Sequence, residues 1–226
     1  MIYVKRLNFC YIRVPKNASS TLMHYLYQNV CDPTEDIISH GITEYPERIS
    51  FINCPPLEHS HVDINFVLNN VLVPANASFT GVLRNPLERQ ISLYMFRIYR
   101  GGYFNSKVPS PEHFRSILYR GELQDYRYWQ TQHQNTFLDS TEATDKEWWV
   151  YDNIEDYLSY FMRKYNLTEK VPLEKLNASP GNKKDLIPIF YDDKTKTQAM
   201  AAFEKDIDLY EKAKSEWILK KTPYRI

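Results

Sequence analysis

"YIRVPKNASSTL", residues 11–22, joins an apolar run to a turn of Pro, Lys, Asn and small hydroxyl residues. Tyr11, Ile12 and Val14 read as the end of a buried strand. Leu22, Tyr25, Leu26 and Val30 then recur at helical spacing. A strand that passes into a helix through a small-residue loop presents backbone N–H groups to an anion. Lys16 stands at the mouth of that loop.

Working outward, the chain alternates strand and helix. A strand is expected over 8–14 and a helix over 19–31, then a mostly irregular segment with a strand at "RISFINC" (48–54). "HVDINFVLNNVL" (61–72) reads as a short helix. "SFTGVLR" (78–84) is a second strong strand, stopped by Asn85-Pro86, and Pro86 suits the first turn of a helix running to Arg100. The second half is helix-rich, at 112–120, 122–138, 152–165 and 197–218, while "NASPGNKKDLIP" (177–188) reads as a loop by composition. Strands joined by helices imply an α/β fold with a central parallel sheet, whose ligands collect at the carboxyl ends of strands. Residues 1–226 read as a single domain.

Composition excludes several function classes. Twenty-eight basic residues balance 28 acidic ones, which argues against a nucleic-acid binder relying on phosphate neutralisation. Three cysteines without CxxC spacing support neither a disulfide framework nor a zinc site. No stretch has the length of a membrane span, and the N-terminus carries no apolar signal segment. If Met1 is the natural start, the expected location is the cytoplasm.

The two strand ends carry the chemistry. The first loop lacks GxxxxGK[ST], because its lysine precedes the small residues, so a Walker-type triphosphatase is poorly supported. In "VLRNPLERQISLY" (82–94), Arg84 closes a strand and Ser92 lies in the second turn of the next helix. A forked guanidinium and a hydroxyl can converge there on one phosphate. Two anion sites on neighbouring strand ends would be explained by one ligand with phosphates at both ends.

"VPKNASSTL" resembles the 5′-phosphosulfate loop, and "VLRNPLERQISLY" the 3′-phosphate motif, of sulfotransferases that use 3′-phosphoadenosine 5′-phosphosulfate (PAPS). The pattern is closest to the carbohydrate branch, the uronyl and heparan 2-O-sulfotransferases, whose His-x-His is matched by His59 and His61 in "EHSHVDINF". Softer matches are "QNTFL" (134–138), "LNASPGNKKDLIP" (176–188) and "FEKDIDLY" (203–210). The resemblance implies a P-loop-like three-layer domain with a helix-rich C-terminal half. It implies sulfuryl transfer from PAPS to a hydroxyl, on a saccharide, with no metal required.

The resemblance also assigns residues. Lys16 stabilises the charge that builds on the leaving phosphate. Asn17, Ala18, Ser19, Ser20 and Thr21 hold the 5′-phosphate, and Arg84 and Ser92 the 3′-phosphate, with Lys183 and Lys184 as further donor contacts. A surface loop is the plainer reading of those two lysines. His61 is the general base and His59 its neighbour. Ala18 stands where many members have Gly, which suits an ordinary backbone angle. Trp129, Trp148 and Trp149 suit either core packing or sugar stacking. The sequon at Asn17 would, if glycosylated, block the loop. Two other readings stay open: an ATP-dependent phosphotransferase, and a non-catalytic nucleotide- or glycan-binding module on the same fold.

Overall fold

The computed structural model describes residues 1–38, 61–71, 73–101, 108–120, 133–174 and 182–221. The expected strand over 48–54, His59, Trp129 and most of the expected helix over 122–138 lie outside them.

Among the described residues the chain builds a five-stranded sheet in the order β3-β1-β2-β4-β5. Its strands are β1 (Ile2–Val4), β2 (Phe9–Ile12), β3 (Ile37–Ile38), β4 (Ser78–Leu83) and β5 (Asp145–Val150). β2, β4 and β5 form the expected parallel core, in the register Ile12↔Gly81 and Leu83↔Val150. β1 runs antiparallel to both β2 and β3, so the full sheet is mixed. The reversal between β1 and β2 uses a single turn of 3-10 helix, Lys5–Leu7, closed by Asn8 at φ 47°. Asn tolerates this left-handed angle better than most residues. Every residue of β1 and β2 is buried. Successive strand side chains point to opposite faces, so both faces of the sheet are covered, as a three-layer fold requires.

The helices are α1 (Ser19–Asn29), α2 (Ile64–Asn70), α3 (Pro86–Phe96), α4 (Pro111–Tyr119), α5 (Gln134–Leu138), α6 (Ile154–Lys164), α7 (Lys183–Phe190), α8 (Asp193–Ala202) and α9 (Glu204–Lys221). α3 starts as expected: Asn85 accepts a hydrogen bond from Leu87 N–H, and Pro86 occupies the first turn. It continues as a π-helical turn over Arg97–Gly101. The expected helix over 197–218 is two, broken at Phe203, which buries its ring at the corner. The loop expected over 177–188 is helical from Lys183, despite Pro188 inside it. Phe190, Leu186 and Ile187 pack into a helical core, and this burial outweighs the hydrogen bond Pro188 cannot make.

Two hydrophobic clusters result. The larger lies on the sheet and takes residues from α1, α2, α6 and α9. The smaller gathers Leu87, Ile91, Tyr94, Phe114, Phe190 and Phe203 from α3, α4, α7 and the α8–α9 corner. Trp149 belongs to the first, stacked with Phe9 and Tyr157 at centroid distances of 6.3 and 5.9 Å. Core packing is therefore its role, and Trp148 packs half-buried beside it. Among the described residues no helix is long and apolar enough to cross a membrane.

Gly81 sets the position of α5. A Cβ there would lie 2.6 Å from Leu138 Cδ2 and 3.3 Å from the Ile12 carbonyl oxygen. The missing side chain lets α5 settle onto the strand, next to the ends of β2 and β4.

Candidate active site

Three parallel strands end side by side, followed by Arg13, Arg84 and Tyr151. After β2 the backbone takes a left-handed angle twice, at Lys16 (φ 67°) and at Ala18 (φ 57°). Ala18 is the N-cap of α1 and offers no side-chain cap, and no acidic residue stands in the first turn. The dipole of α1 favours negative charge at this helix end. The ordinary angle that would make Ala18 a tolerable replacement for glycine is not found. Its Cβ meets the steric penalty that glycine escapes.

Lys16 leaves the loop and lays its ammonium 3.8 Å from the ring centroid of Phe96, at the last turn of α3. The aromatic face attracts the cation. Arg13 underlies the loop: its Nε donates to Ser19 Oγ at 3.4 Å and an Nη to Ser20 Oγ at 3.1 Å. Burial pulls the Arg13 guanidinium down to about 10, still cationic at neutral pH. Thr21 is buried on the same turn.

His61 sits against this loop. Its Nδ1 lies 2.9 Å from the Arg13 carbonyl oxygen. A carbonyl can only accept, so Nδ1 carries the proton, and Nε2 of the neutral ring has the lone pair.

Asn17 is fully buried and is not open to glycosylation in the folded chain. Its Nδ2 donates to the Val82 carbonyl at 2.7 Å and to Gln134 Oε1 at 2.6 Å, which pins the loop to β4 and α5. Gln134 also accepts from the Arg84 backbone N–H and donates to the Arg84 carbonyl, at 2.8 and 2.9 Å. The backbone N–H groups of Gln134 and Asn135 donate in turn to the buried Asp206 carboxylate, each at 2.9 Å.

Beyond β4, Arg84 is buried with its guanidinium carbon 4.6 Å from the Tyr151 ring centroid. Its Nε and an Nη lie 3.4 Å from Glu88 Oε2, a long and weak pairing. Burial raises the Glu88 carboxyl above the usual range, while Arg84 opposes that shift. Ser92 is buried one turn beyond Glu88 on the same helix face. Arg89 is buried, with Nε donating to the Pro15 carbonyl at 3.1 Å. Lys183 is buried within electrostatic reach of Arg84 and Glu88, and burial, then Arg84, lower its pKa. Lys184 beside it is exposed.

The structure thus brings Lys16 to Thr21 and His61 together at one strand end. It brings Arg84 and Lys183 together at the next, and leaves Lys184 in solvent. Sequence reasoning assigned no role to Arg13, Phe96, Gln134 or Asp206. An arginine inside the apolar run "YIRVP" was the available signal for the first. Gln134 and Asp206 fall in two of the softer motif matches, without a sign that they meet.

No curated protein and no solved structure matches this chain. A model of the sulfotransferase family matches residues 1–211, a span that includes every residue of this site. A match across so much of the chain makes it a member of the sulfotransferase family.

Proposed function

We propose that the protein transfers a sulfuryl group from PAPS to a hydroxyl of a saccharide. The observation that carries this reading is the pair of cationic sites on adjacent strand ends. One has Lys16 beside the uncapped N-terminus of α1, and the other has Arg84 and Lys183. A donor with phosphate at both ends fits such a pair. The donor supplies an activated sulfuryl group whose bond to the 5′-phosphate breaks as the acceptor oxygen bonds to sulfur.

The chain's own part can be stated residue by residue. N–H groups from Asn17 to Thr21 and the nearby hydroxyls bind the 5′-phosphate. Lys16 stabilises charge growing on the oxygen that leaves sulfur, an effect largest where water is scarce. Arg84, Ser92 and Lys183 bind the 3′-phosphate and thereby select this donor over ATP. His61 Nε2 takes the acceptor's proton, with Nδ1 fixed by the Arg13 carbonyl. Adenosine 3′,5′-bisphosphate leaves as the second product. His59 and Lys184 stand in this scheme as neighbours of the base and of the 3′-site.

The test is thermal unfolding with adenosine 3′,5′-bisphosphate, ATP, ADP or AMP. At about 100 times its dissociation constant the bisphosphate should add about 2.7 kcal/mol, or about 5–10 °C for a chain of this size. AMP and ADP should shift the midpoint less. Equal shifts from ATP and the bisphosphate would remove the 3′-phosphate assignment and favour a phosphotransferase. A bisphosphate shift without sulfate transfer to any of a saccharide panel would favour a binding module.

A further inference from the structure

We infer that Gln134 is a positioning residue that sets the separation between the two phosphate subsites, an inference that rests on the reading of the site given above. The side-chain amide takes the Arg84 N–H on its oxygen and returns its own N–H to the Arg84 carbonyl. It therefore pairs with Arg84 as a neighbouring strand would, one residue beyond the end of β4. The same oxygen accepts from Asn17 Nδ2 at 2.6 Å. One atom thus binds the backbone that carries the 3′-site arginine and the side chain that anchors the 5′-site loop.

The clasp is itself anchored. Asp206, on α9, holds the first two backbone N–H groups of α5 with its two carboxylate oxygens. Leu138, at the other end of α5, rests on the space that Gly81 leaves open. Gln134 and Asp206 are wholly excluded from solvent. A side chain held at both ends of a short helix cannot drift, and the amide alone among similar-sized groups both donates and accepts here. Fixed spacing matters because a ligand with two phosphates gains from its second contact only when both sites are at the right distance.

The experiment compares dissociation constants, by calorimetry, for adenosine 3′,5′-bisphosphate, adenosine 5′-monophosphate and adenosine 3′-monophosphate. Gln134→Met keeps the length and volume and removes both hydrogen-bonding functions. It should weaken the bisphosphate by roughly tenfold or more, and each monophosphate by less than about threefold. Asn17→Ala leaves Gln134 bonded to Arg84 and Asp206 and frees the loop from both Gln134 and the Val82 carbonyl, so it should weaken the bisphosphate more than the 5′-monophosphate and leave the 3′-monophosphate unchanged. It decides the matter if Gln134→Met does not fold. Equal weakening of all three nucleotides, or an unchanged preference for the bisphosphate, would overturn the spacing role and leave the donor assignment standing. A parent protein with no preference for the bisphosphate would instead overturn the donor assignment on which this inference rests.

Discussion

Replacing Ala18 with glycine should stabilise the protein. Ala18 holds φ 57°, ψ 21° at the start of α1. An L-residue in this region carries a steric cost of about 1–2 kcal/mol that glycine lacks. Glycine also loses more freedom on folding, which returns about 0.5–1 kcal/mol of that gain. The net expectation is a stabilisation of about 0.5–1 kcal/mol. At about 2.1 cal/mol/K of unfolding entropy per residue, this raises the midpoint by about 1–2 °C. The measurement is chemical and thermal unfolding of the ligand-free protein, with Ala201→Gly as the comparison. Ala201 lies exposed in α8, and glycine there should cost up to about 1 kcal/mol. Bisphosphate affinity should move the other way and fall a few-fold, because a loop with more freedom must be ordered on binding. A lower midpoint for Ala18→Gly, comparable to that of Ala201→Gly, would refute the strained angle and the anion-binding turn built on it.

The remaining predictions concern chemistry and charge. Lys16→Met should lower turnover by about 10²–10³-fold with a smaller effect on donor binding; normal turnover with only a raised donor KM would make Lys16 a ground-state contact. Phe96→Leu removes the ring under Lys16 and should reduce kcat by up to about tenfold, with Phe96→Tyr near the parent; equal rates for all three would dismiss the ring's effect on the lysine. His61→Ala should lower turnover by about 10²–10⁴-fold and abolish the loss of activity at low pH, which in the parent follows from protonation of Nε2; a variant that keeps its acid limb would exclude His61 as the base. The lowered pKa of Lys183 gives two opposite trends at alkaline pH. Between its folded and unfolded values the folded state holds fewer protons, so the lysine's contribution to stability rises with pH, while bisphosphate affinity falls as the cation is lost. Lys183→Arg should remove the affinity trend, and parallel binding profiles for the two proteins would place Lys183 away from the phosphate.

Legibility followed the range of the interactions. β2, the loop over residues 15–18 and α1 could be read because apolar spacing and small residues lie within a few positions of each other. The same holds for β4, Asn85-Pro86 and α3. β1 has three residues and β3 two, too few for a period to register. β5 opens on exposed Asp145 and Lys146 and turns inward only at its end. Helix α7 was hidden by Pro188, because the packing that holds it comes from α3 and α4. Lys16 and Arg84 were legible as cations in recognisable motifs, whereas Lys183 read more plainly as a surface-loop residue and is in fact buried. Gln134 was not legible, since its partners lie 117 residues away at Asn17 and 72 away at Asp206. The strain at Ala18 was signalled only indirectly, by glycine at that place in many family members, because a sequence carries no direct record of the sign of φ.

The division into two hydrophobic clusters has a consequence for how the protein opens. The loop proposed to hold the 5′-phosphate is rooted in the sheet cluster, whereas Lys183 rides on α7 in the helical cluster. Helix α3 belongs to the second, yet Arg89 ties it to the Pro15 carbonyl, which follows Val14 of the first. Amide hydrogens of α4, α7 and α8 should therefore exchange through a partial opening that leaves the sheet closed. A nucleotide gripping both Lys16 and Lys183 would bridge the seam and slow that exchange at α7, and also at α4 and α8, which it does not grip. If the proposed donor site holds, proteases would cut first along α7 in the absence of nucleotide, and added bisphosphate would protect it there.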